Sequence, residues 1–343
     1  MAKTKKYGAA MIDLKQLFSF ENPNQERYAS LHAGSYTPFL ETSYGNTQWS
    51  LMRLFRIYRK LKQGETEAYK VLEDFVSENH SSQFPTYQRW SSTPRKLACP
   101  ALTTMLGEQF CYLEDQELTR QRKDIALFSG AAARISDDLT DSRLVEPAEV
   151  YLLDAKQRDN VTEEQSLFYL FNERLEELVS PFDFKNRFRN LIKKYNEAQQ
   201  RGRDLQNPLS TQEVVTIKDQ TGGYPFLLLH ALMFPHQEDP SLNFSPNYNP
   251  NNGTVKTKSE ALFNLGALVS RLDDIYDEKL DRKTGHKSLA TEGVTSWKTI
   301  EKEIVYVDGG LRQFYPDDRV EKTMDDYKAQ ISRLAVLVNN WLL

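Results

Sequence analysis

The chain has 343 residues, of which 39% are hydrophobic, and this is enough to fill a sizeable core. A formal net charge of −4 and the lack of a concentrated basic run argue against a nucleic-acid-binding protein. No apolar run approaches the ~20 residues of a membrane-spanning helix, and no secretion signal is recognisable, so we expect no membrane span. The only cysteines, Cys99 and Cys111, exclude a disulfide framework and fit a reducing, cytoplasmic location.

The pattern of apolar residues predicts helices along most of the chain. Residues 1–45 mix prolines and glycines with short apolar pieces, which predicts an irregular N-terminal arm. From residue 46 to residue 343, apolar residues recur at three- and four-residue spacing, and no strand-like alternation of useful length is present. Residues 236–257 are rich in proline, asparagine and serine, which predicts a surface loop inside the same domain. The sequence therefore predicts an all-α fold with a single domain over residues 46–343.

Two features of the first half of this domain point to an anion and to a cation. Arg95 and Lys96 stand side by side at a predicted helix start, where backbone N–H groups favour a bound anion. The helical pattern of residues 123–141 is rich in small residues, which allow either close helix packing or open volume for a ligand. It ends in an acidic cluster, Asp137-Asp-Leu-Thr-Asp141, with Asp137 and Asp141 on one helical face.

The second half contains a broken helix and a second acidic cluster. Gly222, Gly223 and Pro225 interrupt an apolar helical pattern, which predicts a break that exposes backbone groups to a ligand. Further on, Asp273, Asp277 and Asp281 follow i, i+4, i+8 spacing and so share one helical face. Like charges at this spacing destabilise a helix by roughly 0.2–0.5 kcal/mol per pair, which predicts that a cation neutralises them.

The two clusters together favour one shared magnesium site. The second cluster lacks the alternating ligands and the glycine of an EF-hand calcium loop, so that type of calcium site is excluded. Mg²⁺ keeps most of its water and takes one or two carboxylates together with phosphate oxygens of a substrate. Two short clusters that bridge a diphosphate satisfy this requirement. Two acidic helix faces in contact with water remain the alternative.

From about residue 94 to residue 291 the chain resembles the trans-isoprenyl diphosphate synthases and the related class I terpene synthases. Asp137-Asp-Leu-Thr-Asp141 is similar to their first aspartate motif, and Asp273-Asp-Ile-Tyr-Asp277 with the following Gly285-His-Lys287 is similar to the second. Pro94-Arg-Lys-Leu resembles the basic helix start that binds isopentenyl diphosphate in elongating synthases. The resemblance implies a helical bundle of the isoprenoid synthase type with a central active-site cavity. It also implies a prenyl diphosphate substrate and three Mg²⁺ ions bound with its diphosphate.

The resemblance assigns roles to individual residues. The metal ligands would be Asp137, Asp138, Asp141, Asp273, Asp274, Asp277 and Asp281, with Asp137, Asp138, Asp273 and Asp274 as the catalytic set. The diphosphate contacts would be Arg95, Lys96, Arg143, Lys218 and Lys287. An apolar, aromatic cavity would keep water from the carbocation, and its candidate residues are Phe128, Tyr224, Phe226 and Phe263.

Departures from the family pattern separate its two branches. Thr93-Pro94 stands where elongating synthases have a glycine pair, only Arg143 follows the first motif, and Gln220 replaces a lysine. The cradle for a second diphosphate is therefore incomplete, which favours a Mg²⁺-dependent terpene synthase, a diphosphate lyase that ionises one allylic prenyl diphosphate. Asp277 and Asp281 instead match the prenyltransferase branch, where terpene cyclases have Ser and Glu. A prenyltransferase that uses isopentenyl diphosphate is the alternative, a non-catalytic partner subunit is a further one, and a homodimer stays open as the assembly.

Overall fold

The computed structural model describes residues 47–93, 96–141, 161–179, 184–203, 209–235, 248, 250, 254–284, 288–296 and 299–330. Of the described residues, those from 55 to 327 belong to one compact unit, and residues 47–54 and 328–330 are assigned to a second unit. The predicted arm over residues 1–45 lies outside the described residues, as does most of the predicted loop over residues 236–257.

The described secondary structure is entirely helical, with ten α-helices, a short 3-10 helix and no strand among the described residues. The prediction of an all-α fold is therefore confirmed. None of the described helices is both long enough and apolar enough to cross a membrane. The helices are α1, Thr47–Asn79; the 3-10 helix Ser81–Gln83; α2, Phe84–Ser92; α3, Ala98–Leu113; α4, Arg120–Asp141; α5, Glu163–Val179; α6, Phe184–Arg203; α7, Thr211–Met233; α8, Lys258–Thr284; α9, Ile300–Leu311; and α10, Asp317–Gln330.

Helix α7 is the central element, and it packs against α8, α6, α4 and α3. It begins at a capping box in which the Ser210 hydroxyl accepts from the Glu213 backbone N–H and the Glu213 carboxylate accepts from the Ser210 backbone N–H. It then runs without interruption to Met233, and Pro225 lies inside it. The predicted break at the two glycines and Pro225 is therefore wrong.

The glycines of α7 serve helix packing. A Cβ atom at Gly222 would lie 2.5 Å from Ser270 Cβ and 2.7 Å from the Gly266 carbonyl oxygen, both on α8. Gly266 meets α7 in the same way, because its Cβ would lie 2.5 Å from the Gly222 carbonyl oxygen. Since contacts this short do not occur, the backbones of α7 and α8 can approach this closely only with glycine at both positions.

Helix α4 packs against α3 and α5, and on the α3 side a small residue allows the close approach. A Cβ atom at Gly130 would lie 2.7 Å from Pro100 Cα on α3, so this part of α4 packs directly on α3. The sequence left two alternatives open for the small residues, close helix packing or open volume for a ligand. At Gly130 the structure shows close packing. On the side of α4 that faces α5, Phe128 meets Phe171 edge to face at 5.7 Å between ring centroids.

Candidate functional site

The first aspartate cluster lies in the last turn of α4. Asp138 Oδ1 pairs with Arg134 Nη2 at 2.7 Å, one turn earlier on the same helix, and with Lys96 Nζ at 2.5 Å. The other oxygen, Oδ2, accepts from Trp90 Nε1 of α2 at 3.3 Å. Because Lys96 lies in the turn just before α3, the Asp138 carboxylate joins three parts of the chain. Two basic side chains therefore compensate its charge.

Asp137 points to a different neighbour. Gln199 of α6 donates from Nε2 to Asp137 Oδ1 at 3.5 Å, and the Gln199 side chain is held by Tyr195 at 2.5 Å. Asp141 is the last residue of α4, and its side chain lies outside the described part of the structure. The first cluster thus contacts α6 through Asp137 and the α2–α3 region through Asp138.

The second cluster divides over two faces of α8. Asp273 is exposed and Asp277 and Asp281 are half-buried, whereas Asp274 is buried with 4% of its surface exposed. The helical rotation of 100° per residue places Asp273, Asp277 and Asp281 within an arc of about 80°. The predicted common face of these three carboxylates is therefore present, and Asp274 lies next to it on the buried side.

Asp274 is fully engaged by protein groups. Its Oδ1 pairs with Lys218 Nζ of α7 at 2.9 Å, and its Oδ2 accepts from the Leu289 backbone N–H at 2.8 Å. This carboxylate therefore ties α8 both to α7 and to the segment that follows α8. A buried carboxylate with a cation and a backbone donor is a stable arrangement, since both of its oxygens have partners.

The pKa of Asp273 reports on the electrostatic environment of the second cluster. Although its side chain reaches the surface, the surrounding protein restricts its hydration, and the nearby carboxylates of Asp277 and Asp274 repel its negative charge. These effects raise the pKa of Asp273 to about 6, against a smaller opposing effect of Lys218. A cation bound on this face would relieve the repulsion and lower the pKa again.

The two clusters are linked through α6 and α7. Helix α7 packs on both α4 and α8, and it carries Lys218, the partner of Asp274. Helix α6 packs on α7 and carries Gln199, the partner of Asp137. Both clusters thus have a side-chain contact to this helix pair.

No family model matches this chain, and no curated protein sequence matches it significantly. A function for this chain is therefore inferred from the aspartate clusters and the side chains around them.

The predicted diphosphate contacts fall into two groups. Lys96 and Lys218 are described, and each pairs with an aspartate of one cluster. Arg95, Arg143 and Lys287 lie outside the described residues. Each aspartate cluster therefore has one predicted phosphate-binding lysine whose Nζ lies within 3 Å of a carboxylate oxygen.

The predicted cavity residues take part in three separate aromatic contacts. Phe128 is buried and contacts Phe75 edge to face at 5.0 Å between ring centroids. Tyr224 and Phe263 form a second edge-to-face pair across α7 and α8, at 5.4 Å. Phe226 also lies on α7, half-buried, with its ring 6.0 Å from that of Phe110. A cavity between these residues stays a prediction.

The metal site also stays a prediction. Within the described residues, no group of three or more histidine, cysteine, aspartate or glutamate side chains is arranged to hold a metal ion. Basic groups engage Asp138 and Asp274, so these two would have to exchange a lysine contact for a metal. The carboxylates on the outer face of α8 stay the predicted ligands of the second cluster, and burial together with repulsion from Asp277 and Asp274 raises the pKa of Asp273 to about 6.

Sequence reasoning missed a set of buried charges directly behind the second cluster. Arg271 of α8 is 3% exposed and pairs with Asp219 of α7 and with Glu303 of α9. The available signal was a basic residue on an apolar stripe, since Arg271 follows Leu268 by three positions and precedes Ile275 by four. Both of these neighbours are buried, so the stripe itself was recognisable.

Proposed function

We propose that this chain is a Mg²⁺-dependent class I terpene synthase, which ionises an allylic prenyl diphosphate and converts the carbocation to a terpene. The observation that carries the proposal is the pair of aspartate clusters, one at the end of α4 and one on α8, each with a lysine beside it. Acidic groups for metal and basic groups for phosphate are the two requirements of diphosphate ionisation. The all-α fold is the architecture that the sequence resemblance implies.

In the proposed reaction, the bond between the allylic carbon and the diphosphate oxygen breaks, and its electron pair leaves with the diphosphate. The resulting allylic cation closes a ring or takes up water, and a proton is lost. Bound Mg²⁺ supplies Lewis acidity and charge neutralisation to the leaving diphosphate. The contribution of the protein itself to this step is the placement of its charged side chains.

The side chains of the two clusters have distinct parts in this proposal. Asp273, Asp277 and Asp281 would hold the metal on α8, and Asp137 would do so on α4. Lys96 and Lys218, which pair with Asp138 and Asp274, hold positive charge where the diphosphate departs. A lysine that can move between a carboxylate and a phosphate oxygen keeps the site balanced in charge with and without substrate.

A prenyltransferase is the second candidate, because Asp277 and Asp281 match that branch in the sequence resemblance. Lys96, from the basic element that resembles the isopentenyl diphosphate site, lies 2.5 Å from Asp138. The partner-subunit alternative has no such support from the described residues, because a non-catalytic chain has no need for two aspartate clusters.

Product analysis separates these candidates. The purified protein is incubated with Mg²⁺ and geranyl, farnesyl or geranylgeranyl diphosphate, each with and without isopentenyl diphosphate. A hydrocarbon or alcohol that forms without isopentenyl diphosphate supports the terpene synthase. Longer diphosphates that form only with it support the prenyltransferase and contradict the main proposal.

A matched pair of variants links turnover to the site. Asp273→Asn removes one charge from the exposed face of α8, and Asp318→Asn removes one from an exposed position of α10. We expect Asp273→Asn to lower kcat by at least about tenfold, in line with the loss of a metal ligand or its support. Asp318→Asn should leave kcat unchanged. Equal activity of the two variants would contradict a role for the second cluster.

A further inference from the structure

A buried charge network lies beneath the second aspartate cluster. Arg271 binds Asp219 with a two-pronged contact, in which Nε and Nη2 both lie within 3.0 Å of Oδ1 and Nη2 lies 3.0 Å from Oδ2. Arg271 Nη1 lies 3.5 Å from Glu303 Oε2. All three side chains are less than 10% exposed. One arginine of α8 therefore holds one carboxylate of α7 and one of α9.

The two carboxylate oxygens of Glu303 also accept hydrogen bonds from outside the three helices. The Tyr248 hydroxyl donates to Glu303 Oε2 at 3.2 Å, and the Thr295 hydroxyl donates to Oε1 at 3.1 Å. The Arg271 guanidinium also lies over the Tyr248 ring at 4.3 Å from its centroid. The network thus adds the segments before α8 and before α9 to the three helices.

Stability is a weak explanation for this network. Taking three charged groups out of water carries a large desolvation cost, and apolar residues of similar size in such places are often as stable or more stable. What a buried ionic network does supply is a single allowed arrangement, because any other pairing leaves a charge without a partner. A role in positioning is therefore the better explanation.

Arg271 fixes how α8 is rotated about its own axis. Asp273 lies two residues further on, about 200° around the helix, so an inward Arg271 holds Asp273 outward. Asp277 and Asp281 follow Asp273 on the same face. A shift of α8 by one residue would turn the helix by about 100°. It would move the acidic face, which carries Asp273, Asp277 and Asp281, away from its present direction.

Asp219 fixes α7 at the same level. It directly follows Lys218, whose ammonium group pairs with Asp274 of α8. The Arg271–Asp219 contact and the Lys218–Asp274 contact therefore set the register of α7 against α8 together. Glu303 then connects this register to α9.

We propose that Asp219, Arg271 and Glu303 are positioning residues, which orient the acidic face of α8 and Lys218 for a Mg²⁺-bound diphosphate. This inference rests on the function proposed above. The three side chains need not touch the substrate. They act through the rotation of α8 and its register against α7.

The chain contains a second buried network that serves as a matched control. Glu114 accepts from Lys258 Nζ at 2.5 Å and from the Tyr315 hydroxyl at 2.8 Å, and it contacts His230 Nε2 at 2.8 Å. It also joins α7 to α8, but Lys258 lies 13 residues before Arg271, or about 20 Å along the helix. Loss of this network should affect the fold without reorienting the acidic face.

The test measures binding of inorganic diphosphate in the presence of Mg²⁺ by calorimetry, together with the melting temperature. The triple variant Asp219→Asn/Arg271→Met/Glu303→Gln removes all three charges at once, so that no buried charge loses its partner. We expect its affinity for diphosphate to fall by about 10–100-fold, the usual effect of changing residues that orient metal ligands. Glu114→Gln should lower the melting temperature and keep the wild-type affinity.

Arg271→Lys gives a second test in case the triple variant does not fold. It keeps all the charges but replaces the fork by a single ammonium group, so we expect an affinity between those of the wild type and the triple variant. A folded triple variant or an Arg271→Lys variant with wild-type affinity would overturn the positioning role and leave the proposed function intact. A wild type that binds no diphosphate with Mg²⁺ would overturn both.

Discussion

At the scale of single residues, the pair of Lys218 and Asp274 is the most sensitive contact of the second cluster. Asp274 is buried, so replacing Lys218 with methionine leaves a carboxylate without its cation in the interior. We expect Lys218→Met to lower the free energy of unfolding by about 2–3 kcal/mol, less than for a fully buried pair because Lys218 is partly exposed. Urea denaturation measures this loss.

The matched control for Lys218 is an exposed lysine in an ion pair. Lys193 of α6 lies 3.8 Å from Glu197, with 70% of its side chain exposed. Because water and salt screen such a pair, Lys193→Met should change the free energy of unfolding by less than about 0.5 kcal/mol. Equal losses in the two variants would show that the Asp274 pair contributes no more than a surface contact.

His230 provides a prediction of pH dependence away from the aspartate clusters. Burial lowers the pKa of His230, and the contact with Glu114 only partly opposes this effect. The unfolded chain therefore binds a proton more readily than the folded one does. The stability contributed by neutral His230 is complete above its ordinary pKa of about 6.5 and is lost as the pH falls through the lower pKa of the folded state.

The comparison that isolates His230 is with His230→Gln, which keeps a polar side chain near Glu114 without a titrating ring. As the pH is lowered from 7.5 to 5, the free energy of unfolding of the wild type should fall relative to that of the variant. Chemical denaturation at several pH values measures it. A difference that is constant over this range would refute the lowered pKa.

Arg271 also shows where reasoning from the sequence stops at this scale. The carboxylates on the outer face of α8 follow from their spacing alone, because helix geometry converts spacing into a common face. The roles of Arg271 and Asp219 depend on which residues of α7 and α9 meet α8, and that is decided by tertiary packing. A charged residue on an apolar stripe signals such a contact but does not identify the partner.

At the scale of elements, the α7–α8 interface depends on glycine. A Cβ at Gly222 would lie 2.7 Å from the backbone oxygen of Gly266, which cannot move without shifting α8. We expect Gly222→Ala to lower the free energy of unfolding by about 1–3 kcal/mol, as other overpacked positions do. Gly309 of α9 is the control, because a Cβ there meets nothing within 4 Å.

Gly309→Ala should raise the free energy of unfolding by about 0.4–1 kcal/mol, because alanine reduces the freedom of the unfolded chain and suits a helix. Opposite signs of the two effects in urea denaturation support the close approach of α7 and α8. A gain in stability for Gly222→Ala would contradict it.

The same interface explains why the helix break predicted at Gly222, Gly223 and Pro225 is absent. Adjacent glycines followed by a proline are a common signal for the end of a helix. Here they lie inside α7, because the contact with Gly266 of α8 compensates for the low helix propensity of glycine. Long periodic helices such as α8 were predictable, since their apolar stripes do not depend on the partner.

At the scale of the whole molecule, the proposed function requires both aspartate clusters to act on one diphosphate. The sequence predicts both clusters from spacing, and the structure places both on helices that pack against α7. The proposed joint action of the two clusters is not derivable from the sequence alone, because it requires side chains from several helices to meet one ligand. The single residues Lys96 and Lys218 also belong to this proposal, since each pairs with an aspartate of one cluster.

The most direct test of this account is release of diphosphate from geranyl, farnesyl and geranylgeranyl diphosphate, measured with and without Mg²⁺. We predict that the wild-type chain releases diphosphate from at least one of them only when Mg²⁺ is present. Asp137→Asn and Asp273→Asn should each reduce that rate by at least about tenfold. Absence of Mg²⁺-dependent release from all three substrates, or release that both variants retain in full, would contradict the proposed function.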